Sequence, residues 1–298
     1  MTTLEFLSLL RSKKIKLWVE GDKLRYHAPT GELTPELLAE MAERKADILE
    51  FLRNASNDTA PILPVLRNQN LPLSFAQERL WFLDQLDVEH TSYNIPFAIR
   101  LTGSINVPAL EMSISEIIRR HEILRTSYTT VDGQPVQVIN PPDPFKLMSI
   151  DLQKISEEDR VDEARRLANE DACRPFDLTK SQMLRAILLR LDHHDHVLFF
   201  NIHHIAFDSW STEIILQELD VFYDAFVTGK PIGLPEPPVQ YVDYALWQKD
   251  RLSDKAMEAQ LAYWKQKLSG SLAILELPTD RARPSIQTFR GAAQSHLL

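Results

Sequence analysis

The first 54 residues alternate between helix-like and strand-like spacing of their hydrophobic positions. The opening segment, TLEFLSLLRSKK, places leucines three residues apart, which predicts an amphipathic helix. The segment KIKLWVEGDKLRYHAP then alternates apolar and polar residues around Gly21-Asp22, a two-residue hairpin turn signal with glycine first. A second helical pattern follows Thr34, a good N-cap. We therefore predict a small module over residues 1–54, built as helix, hairpin and then one long or two short helices.

The rest of the chain divides into a linker and a larger domain. Residues 55–70 contain several chain breakers and no hydrophobic period, which predicts a linker. From residue 71 to 298, strand-like segments such as NIPFAIRLTG and VLFFNIHHI alternate with helical segments such as VPALEMSISEIIRRHE and STEIILQELDVFYDAFVTG. This alternation predicts an α/β layered domain with a mainly buried sheet.

Alternation in the predicted hairpin assigns its side chains to two faces. Four residues would face the helices: Leu17, Val19, Leu24 and Tyr26. Five residues would face outward: Lys16, Trp18, Lys23, Arg25 and His27. An exposed edge strand with a tryptophan and a local surplus of positive charge is suited to the addition of an acidic peptide as a further strand. The alternative is that the basic residues only protect an edge from aggregation and that Trp18 packs on a helix.

Composition and charge narrow the classes of function. The formal net charge is −9, so phosphate-rich nucleic acid is a poor partner. The longest apolar runs are too short to span a bilayer, and the N-terminal basic residues follow the apolar stretch, the reverse of a secretory signal. We therefore expect a cytoplasmic protein with no membrane partner. The single cysteine, Cys173, excludes an intramolecular disulfide and a cysteine-based zinc site, and its amphipathic helix favours a buried structural thiol over a nucleophile.

Two clusters of histidines lie close together in the chain. His193, His194 and His196 stand in LDHHDHV between two apolar strands, which predicts a solvated hairpin turn. Histidine is a common metal ligand, so a metal site is the alternative for this cluster. Adjacent residues in a turn rarely converge on one ion without further ligands, which favours the turn. No metal site is therefore predicted.

The second pair, His203-His204, ends a strongly apolar strand just before a predicted helix. Neighbouring strand residues point to opposite faces, so one imidazole should face the interior and the other a cleft at the strand end. Strand ends before helices are frequent positions for functional sites in α/β folds, and a neutral imidazole can accept a proton from an amine or a hydroxyl. Asp208 stands at a good N-cap position. From spacing alone, the alternative is a satisfied core histidine followed by an ordinary cap.

Several segments together resemble the condensation domains of non-ribosomal peptide synthetases, members of the chloramphenicol acetyltransferase-like superfamily. HHIAFDSWS resembles the HHxxxDG signature of this family, and LSFAQERLWFLDQL resembles its opening motif. YNIP, RHEILRTSY, RPFDL and YVDYALWQ follow in the family's order, and LELPTDRARP resembles the segment that crosses toward the second lobe. The resemblance implies the N-terminal lobe of a two-lobed α/β fold.

The resemblance also implies a reaction and a role for each site residue. A donor acyl group, held as a thioester on the phosphopantetheine arm of an upstream carrier protein, is attacked by the amine of an acceptor on a downstream carrier protein. His204 would be the catalytic histidine, either as a general base or as a group that orients the amine, and His203 would support it from the interior. Asp208 would pair with Arg125 of RHEILRTSY to fix the geometry. No cofactor is expected to be bound in this chain itself.

One residue departs from the family pattern, because Ser209 stands where the family usually has glycine. If the glycine leaves room for the carrier arm, serine narrows the channel slightly; if it serves an unusual backbone angle, serine is more disruptive. The paired histidines argue against a heterocyclisation domain, whose motif has aspartates there. An epimerisation domain shares the pair, but the opening motif and YVDYALWQ are more similar to condensation domains.

Residues 1–54 resemble the N-terminal docking domains typified by the tubulysin synthetase, with KLWVEGDKLRYHAPTGELTPELLAE as the specific part of the match. This resemblance implies that the module receives the C-terminal tail of the upstream synthetase subunit. No segment after the predicted crossover would build a second lobe, so we expect the chain alone to be inactive. The alternatives are an interaction fragment with no activity of its own, or a stand-alone acyltransferase of the same superfamily, which the docking module disfavours.

Overall fold

The computed structural model describes residues 3–13, 15–20, 23–29, 31–54, 61–67, 70–86, 91–252, 254–270 and 278–282. The chain forms two compact units, Met1–Asp250 and Arg251–Leu298. Gly21 and Asp22, the predicted hairpin turn, lie outside the described residues, as do residues 275–277 and 283–284 of the predicted crossover. In the second unit the structure describes one helix, α9 (Asp254–Lys267).

The N-terminal module is built in the predicted order. It contains helix α1 (Thr3–Ser12), antiparallel strands β1 (Lys16–Glu20) and β2 (Lys23–His27), and helices α2 (Pro35–Glu43) and α3 (Lys45–Asn54). The Thr34 side chain accepts a hydrogen bond from the Leu37 N–H and so begins α2, as its N-cap position predicts. The second helical pattern forms two short helices because α2 ends at Arg44.

The module has a core of its own. Its buried members come from all three helices and the start of β1: Phe6, Leu7, Leu10, Ile15, Leu37, Met41 and Ile48. Leu17 and Leu24 pack against this core from the hairpin, as predicted. Tyr26 is opposite Leu17 in the strand register, yet it is 47% exposed, so its predicted burial is wrong. It lies near the end of β2, and the buried residues of the helices do not extend over it.

Residues 61–67 have no regular secondary structure, but both ends of this segment are anchored. Leu63 packs against the core of the module. The Val65 N–H and the Arg67 guanidinium donate hydrogen bonds to the buried carboxylate of Asp243, which lies in helix α8 (Tyr241–Arg251). The described part of the predicted linker is therefore tied to both of its neighbours.

The main sheet has four strands in the order β4-β9-β8-β7. They are β4 (Asn94–Thr102), β7 (Met148–Asp151), β8 (Leu184–Asp192) and β9 (Asp195–His203), and only the β7–β8 pair is parallel. Helices α5 (Val107–Arg120) and α7 (Ser209–Thr228) contribute to the core on one face, and α6 (Glu157–Ala172) to the core on the other. Coverage on both faces explains why β8 and β9 are almost continuously apolar.

A smaller sheet has the order β3-β6-β5, with β3 (Leu71–Pro72), β5 (Thr126–Val131) and β6 (Gln134–Ile139). Asp132 and Gly133 join β5 to β6, and both have positive φ angles of 50° and 77°, as a type I′ turn requires. Helix α4 (Phe75–Leu86) follows β3, and a short 3₁₀ helix, Glu122–Arg125, precedes β5. The two-residue strand β3 and the four-residue strand β7 are too short to show a period in the sequence.

Two predictions about solvent exposure are wrong. Cys173 is exposed, because it caps the C-terminal end of α6 instead of lying on the apolar face of that helix. His196 is only 5% exposed, because the turn between β8 and β9 spans only two residues and His196 already belongs to β9. Among the described residues, no helix combines the length and the apolar character needed to cross a membrane.

Candidate functional site

The candidate site lies where β9 ends and α7 begins. The His204 N–H donates to the Tyr93 carbonyl at 2.8 Å, and the His203 N–H donates to the Met183 carbonyl at 3.1 Å. The Ala206 N–H then donates back to the His203 carbonyl at 2.9 Å. These bonds fix the backbone on both sides of the histidine pair, so the two side chains begin from defined positions.

His203 is the inward-facing member of the pair. It is 4% exposed, and its Nδ1 accepts the Ile205 N–H at 3.1 Å. The Phe176 ring contacts the imidazole edge-on, with 5.9 Å between the ring centroids. Because Nδ1 is the acceptor, the proton of the neutral ring is on Nε2. His203 thus closes the turn that follows it.

His204 is exposed and has the opposite tautomer. Its Nδ1 lies 2.7 Å from the Phe207 carbonyl oxygen. A carbonyl oxygen can only accept, so Nδ1 carries the proton and the lone pair of the neutral ring is on Nε2. Among the residues that the structure describes, none donates to Nε2. The arrangement therefore presents a fixed, solvent-facing acceptor that can take a proton from an amine.

Asp208 is the N-cap of α7 and forms a capping box with Ser211. Its Oδ1 accepts the Ser211 N–H at 2.9 Å and the Ser211 hydroxyl at 2.7 Å. The hydroxyl of Ser211 is the largest cause that lowers the pKa of Asp208, and the positive potential of the nearby His204 lowers it further. Asp208 thus fixes the start of the helix that follows the histidine turn.

The predicted pair between Asp208 and Arg125 is not formed. The Arg125 guanidinium donates to the Arg119 carbonyl at 3.4 Å and to the Asn140 carbonyl, and it lies 4.0 Å from the Glu122 carboxylate. Arg125 ends the 3₁₀ helix, so carbonyl acceptors lie close to it, while Asp208 is occupied by its own helix. Burial is the main cause that lowers the pKa of Arg125. The structure therefore places Arg125 outside the histidine site.

Ser209 is the first residue of α7 and is exposed. Among the described residues, Asp132 is the one residue other than glycine with a positive φ angle, so Ser209 has a backbone conformation that any residue can adopt. The glycine of the family is therefore not needed at this position for an unusual backbone angle.

A buried network that the sequence did not reveal supports the inward histidine. Asp171 accepts hydrogen bonds from the Arg185 Nε at 3.1 Å and from the Asn201 side chain at 3.1 Å. The Arg185 guanidinium lies 3.8 Å from the centre of the Phe176 ring, whose edge contacts His203. The one available signal was the RPFDL motif, which contains Phe176 and lies shortly after Asp171 in the chain.

The capping box gives a pH-dependent prediction. Asp208→Ala should lower the free energy of unfolding by about 1 kcal/mol at neutral pH, because α7 loses its N-cap. The folded-state pKa of Asp208 is lowered, so this stabilisation is complete above the unfolded-state pKa of about 3.9 and is lost as the pH falls through the folded value. Urea titrations at pH 7 and near pH 2 should show the difference between the proteins disappearing in acid.

Asp208→Asn is the matched control for this prediction. Asparagine is also a good N-cap, so this variant should keep most of the stability at neutral pH and lose the pH dependence. An alanine variant as stable as the native protein at pH 7 would contradict the role of the cap.

The outward face of the β1–β2 hairpin carries the predicted docking residues. Trp18 is opposite Arg25 in the strand register, and Lys16 is opposite His27. Trp18 is 46% exposed, and Lys16, Lys23, Arg25 and His27 are exposed. In the described part of the chain, β1 and β2 pair with each other and with no third strand. The hairpin therefore presents strand edges beside a basic and aromatic face.

Comparison with known proteins identifies both parts of the chain. Residues 67–298 match the family model of the condensation domain, and residues 4–54 match that of the TubC N-terminal docking domain. The chain belongs to the condensation-domain family. The predicted recognition of a non-ribosomal peptide synthetase, with a docking domain followed by the N-terminal part of a condensation domain, is confirmed.

Individual relatives agree with this assignment. A linear gramicidin synthase from Brevibacillus parabrevis is 47% identical over 236 residues, 79% of this chain and 3% of that protein. Bacitracin synthase 2 of Bacillus licheniformis is 32% identical over 294 residues, 98% of this chain and 11% of that protein. The chain thus spans a small part of the length of these relatives.

A solved structure confirms the predicted fold class. The X-domain from teicoplanin biosynthesis superimposes with a TM-score of 0.65 and 30% identity, over 76% of this chain and 49% of that one. The predicted α/β fold, with a docking module and the N-terminal lobe of a two-lobed domain, is therefore correct.

Proposed function

We propose that this chain supplies the amine-activating side of a peptide-bond-forming site in a non-ribosomal peptide synthetase. The observation that supports this proposal is the geometry of His204. Its Nδ1–H is held by the Phe207 carbonyl, so the lone pair of Nε2 points away from the protein. His203 and Asp208 hold the turn and the helix start on either side of His204.

The chemistry assigned to this site is acyl transfer from a thioester to an amine. The amine nitrogen of the acceptor attacks the carbonyl carbon of the donor, the new C–N bond forms, and the C–S bond breaks to release the thiol of the donor arm. Nε2 of His204 either accepts the proton that the amine loses or accepts a hydrogen bond that orients the amine. Both substrates arrive on the phosphopantetheine arms of carrier domains, so the chain needs no cofactor of its own for this step.

Transfer between two loaded carrier proteins tests this function. The protein used should contain residues 1–298 together with the second lobe of its condensation domain. Intact-protein mass spectrometry of the acceptor carrier then measures the gain of the donor acyl group. The absence of any acyl transfer with several cognate donor and acceptor pairs would contradict the proposed reaction.

We propose further that the N-terminal module binds the C-terminal tail of an upstream synthetase subunit by β-augmentation. The support is the exposed face that pairs Trp18 with Arg25, on a hairpin that forms no other strand pair among the described residues. An acidic tail added as a third strand would form main-chain hydrogen bonds and would place its carboxylates near Lys23 and Arg25.

Charge reversal on the hairpin gives a direct prediction. The double variant Lys23→Glu, Arg25→Glu should weaken the binding of an acidic tail peptide at least tenfold, because two attractive contacts become repulsive. Fluorescence anisotropy of a labelled peptide measures this, and native binding should be micromolar and weaken as salt is added.

The matched control carries the same change of charge elsewhere. Lys154→Glu, Lys180→Glu places two carboxylates at exposed positions of the larger domain and should leave the peptide affinity unchanged. Equal affinity in the native protein and the hairpin variant would exclude this face as the docking surface.

A further inference from the structure

A second cavity lies at the end of the main sheet that is opposite to the histidine site. It has a volume of about 410 Å³ and lies where β8 and β9 meet at their turn. Seven residues of extended strand separate His196 from His203, which corresponds to roughly 24 Å. Six polar residues from three parts of the chain line the cavity: Ser104, Ser149, Arg190, His193, His194 and His196.

Two buried polar atoms of this lining have no hydrogen-bond partner among the described residues. They are the Nε of Arg190 and the Nδ1 of His196. These two residues are directly opposite each other on β8 and β9, so their side chains share the face that lines the cavity. His196 is 5% exposed. Leaving a buried donor unpaired is costly, which indicates that a ligand completes these contacts.

The chemistry of the lining indicates an anion. Arg190 carries a positive charge and can only donate, and the described residues that line the cavity include no carboxylate. The nearby carboxylates are engaged elsewhere: Asp195 accepts two hydrogen bonds from Arg100, and Asp192 accepts from Gln153 and from the His193 N–H. Within the described ranges, no group of histidine, cysteine or acidic side chains is arranged to hold a metal ion.

We propose that this cavity binds the phosphate group of a small phosphorylated molecule. The Arg190 Nε–H and the Nδ1–H tautomer of His196 donate to two phosphate oxygens, and the hydroxyls of Ser104 and Ser149 reach the same group from two other segments. Donors from several directions suit a tetrahedral anion better than a planar carboxylate. Ile105, Val107 and Leu188 form an apolar part of the lining, so the phosphate carries a short apolar body.

The protonation of His196 is consistent with an anion site that is ready to bind. Burial is the main cause that lowers the pKa of His196, and the charge of Arg190 lowers it further. A bound anion offsets the repulsion by Arg190, so binding should shift the imidazole resonances of His196.

Calorimetric titration of the protein with butyl phosphate tests the proposal, with inorganic phosphate, butyrate and butylamine as comparison probes. Butyl phosphate should bind saturably and at least tenfold more tightly than inorganic phosphate or butyrate, and butylamine should not bind. Arg190→Gln should weaken butyl phosphate binding at least tenfold. Arg165→Gln, which removes the same charge from an exposed position on α6, should leave it unchanged.

A second variant keeps the test valid if Arg190→Gln fails to fold. Ser149→Glu changes an exposed side chain and places a negative charge at the cavity, so it should also abolish binding. Binding that persists in both variants, tighter binding of butylamine or butyrate, or no saturable binding of butyl phosphate would each overturn the proposal.

Discussion

His204→Ala should slow peptide-bond formation by about 10²- to 10⁴-fold, the range that a positioned acid–base group supplies. His204 is exposed, and its only side-chain hydrogen bond in the described part of the chain is to the Phe207 carbonyl, so the variant should fold normally. The measurement is single-turnover acyl transfer to a loaded acceptor carrier. Because the turn is fixed by backbone bonds, the loss should appear in the rate of transfer and not in the binding of the carriers.

Two further variants separate the roles within the histidine pair. His204→Gln retains a hydrogen-bond acceptor but cannot take a proton at neutral pH, so partial activity would indicate orientation of the amine and a full loss would indicate a general base. His203→Ala should instead cost about 1–3 kcal/mol of stability, because the Ile205 N–H loses its buried acceptor. His204→Ala with the native rate of transfer would exclude this histidine from the reaction.

The sequence predicted the histidine site to the extent that local periodicity determines it. The apolar run before His203 fixes β9, and alternation along a strand separates an inward ring from an outward one. Asp208 likewise follows from local N-cap chemistry. These features depend on residues that are close in the chain, and a sequence contains that information directly.

Contacts between distant segments were not predictable in the same way. The pair between Asp208 and Arg125 was wrong because each side chain has nearer partners, a serine in its own helix and two backbone carbonyls. The burial of His196 depends on the length of a turn, since a turn shorter by two residues moves this side chain into the sheet. The contact of Phe176 with His203 likewise depends on how separate segments pack.

Asp243→Ala should lower the free energy of unfolding by about 3–5 kcal/mol, the range for removing one partner of a buried charged pair. Asp243 is 1% exposed, and both of its carboxylate oxygens accept hydrogen bonds. Its Oδ1 takes the Val65 N–H at 2.8 Å and the Arg67 Nη1 at 2.7 Å, and its Oδ2 takes the Gln240 N–H at 2.6 Å and the Arg67 Nη2 at 3.3 Å. Alanine leaves two backbone donors without an acceptor and part of a guanidinium charge without its partner.

The remaining partner of Arg67 does not replace Asp243. Glu122 accepts from the Arg67 Nε at 3.0 Å, whereas the Val65 and Gln240 N–H groups donate to Asp243. Burial alone would lower the pKa of Arg67, and hydrogen bonds to both carboxylates outweigh it and raise the pKa. The loss should therefore be felt by the segment 61–67 and by the start of α8, which this carboxylate joins.

Urea unfolding followed by tryptophan fluorescence measures the effect, and two variants frame it. Asp162→Ala removes an equally charged group from an exposed pair with Arg165 and should cost no more than about 1 kcal/mol. Asp243→Asn keeps the shape and one acceptor oxygen, so it should fall between the alanine variant and the native protein. If Asp243→Ala were destabilised no more than Asp162→Ala, the conformation of the segment 61–67 would have to depend on Leu63 packing instead.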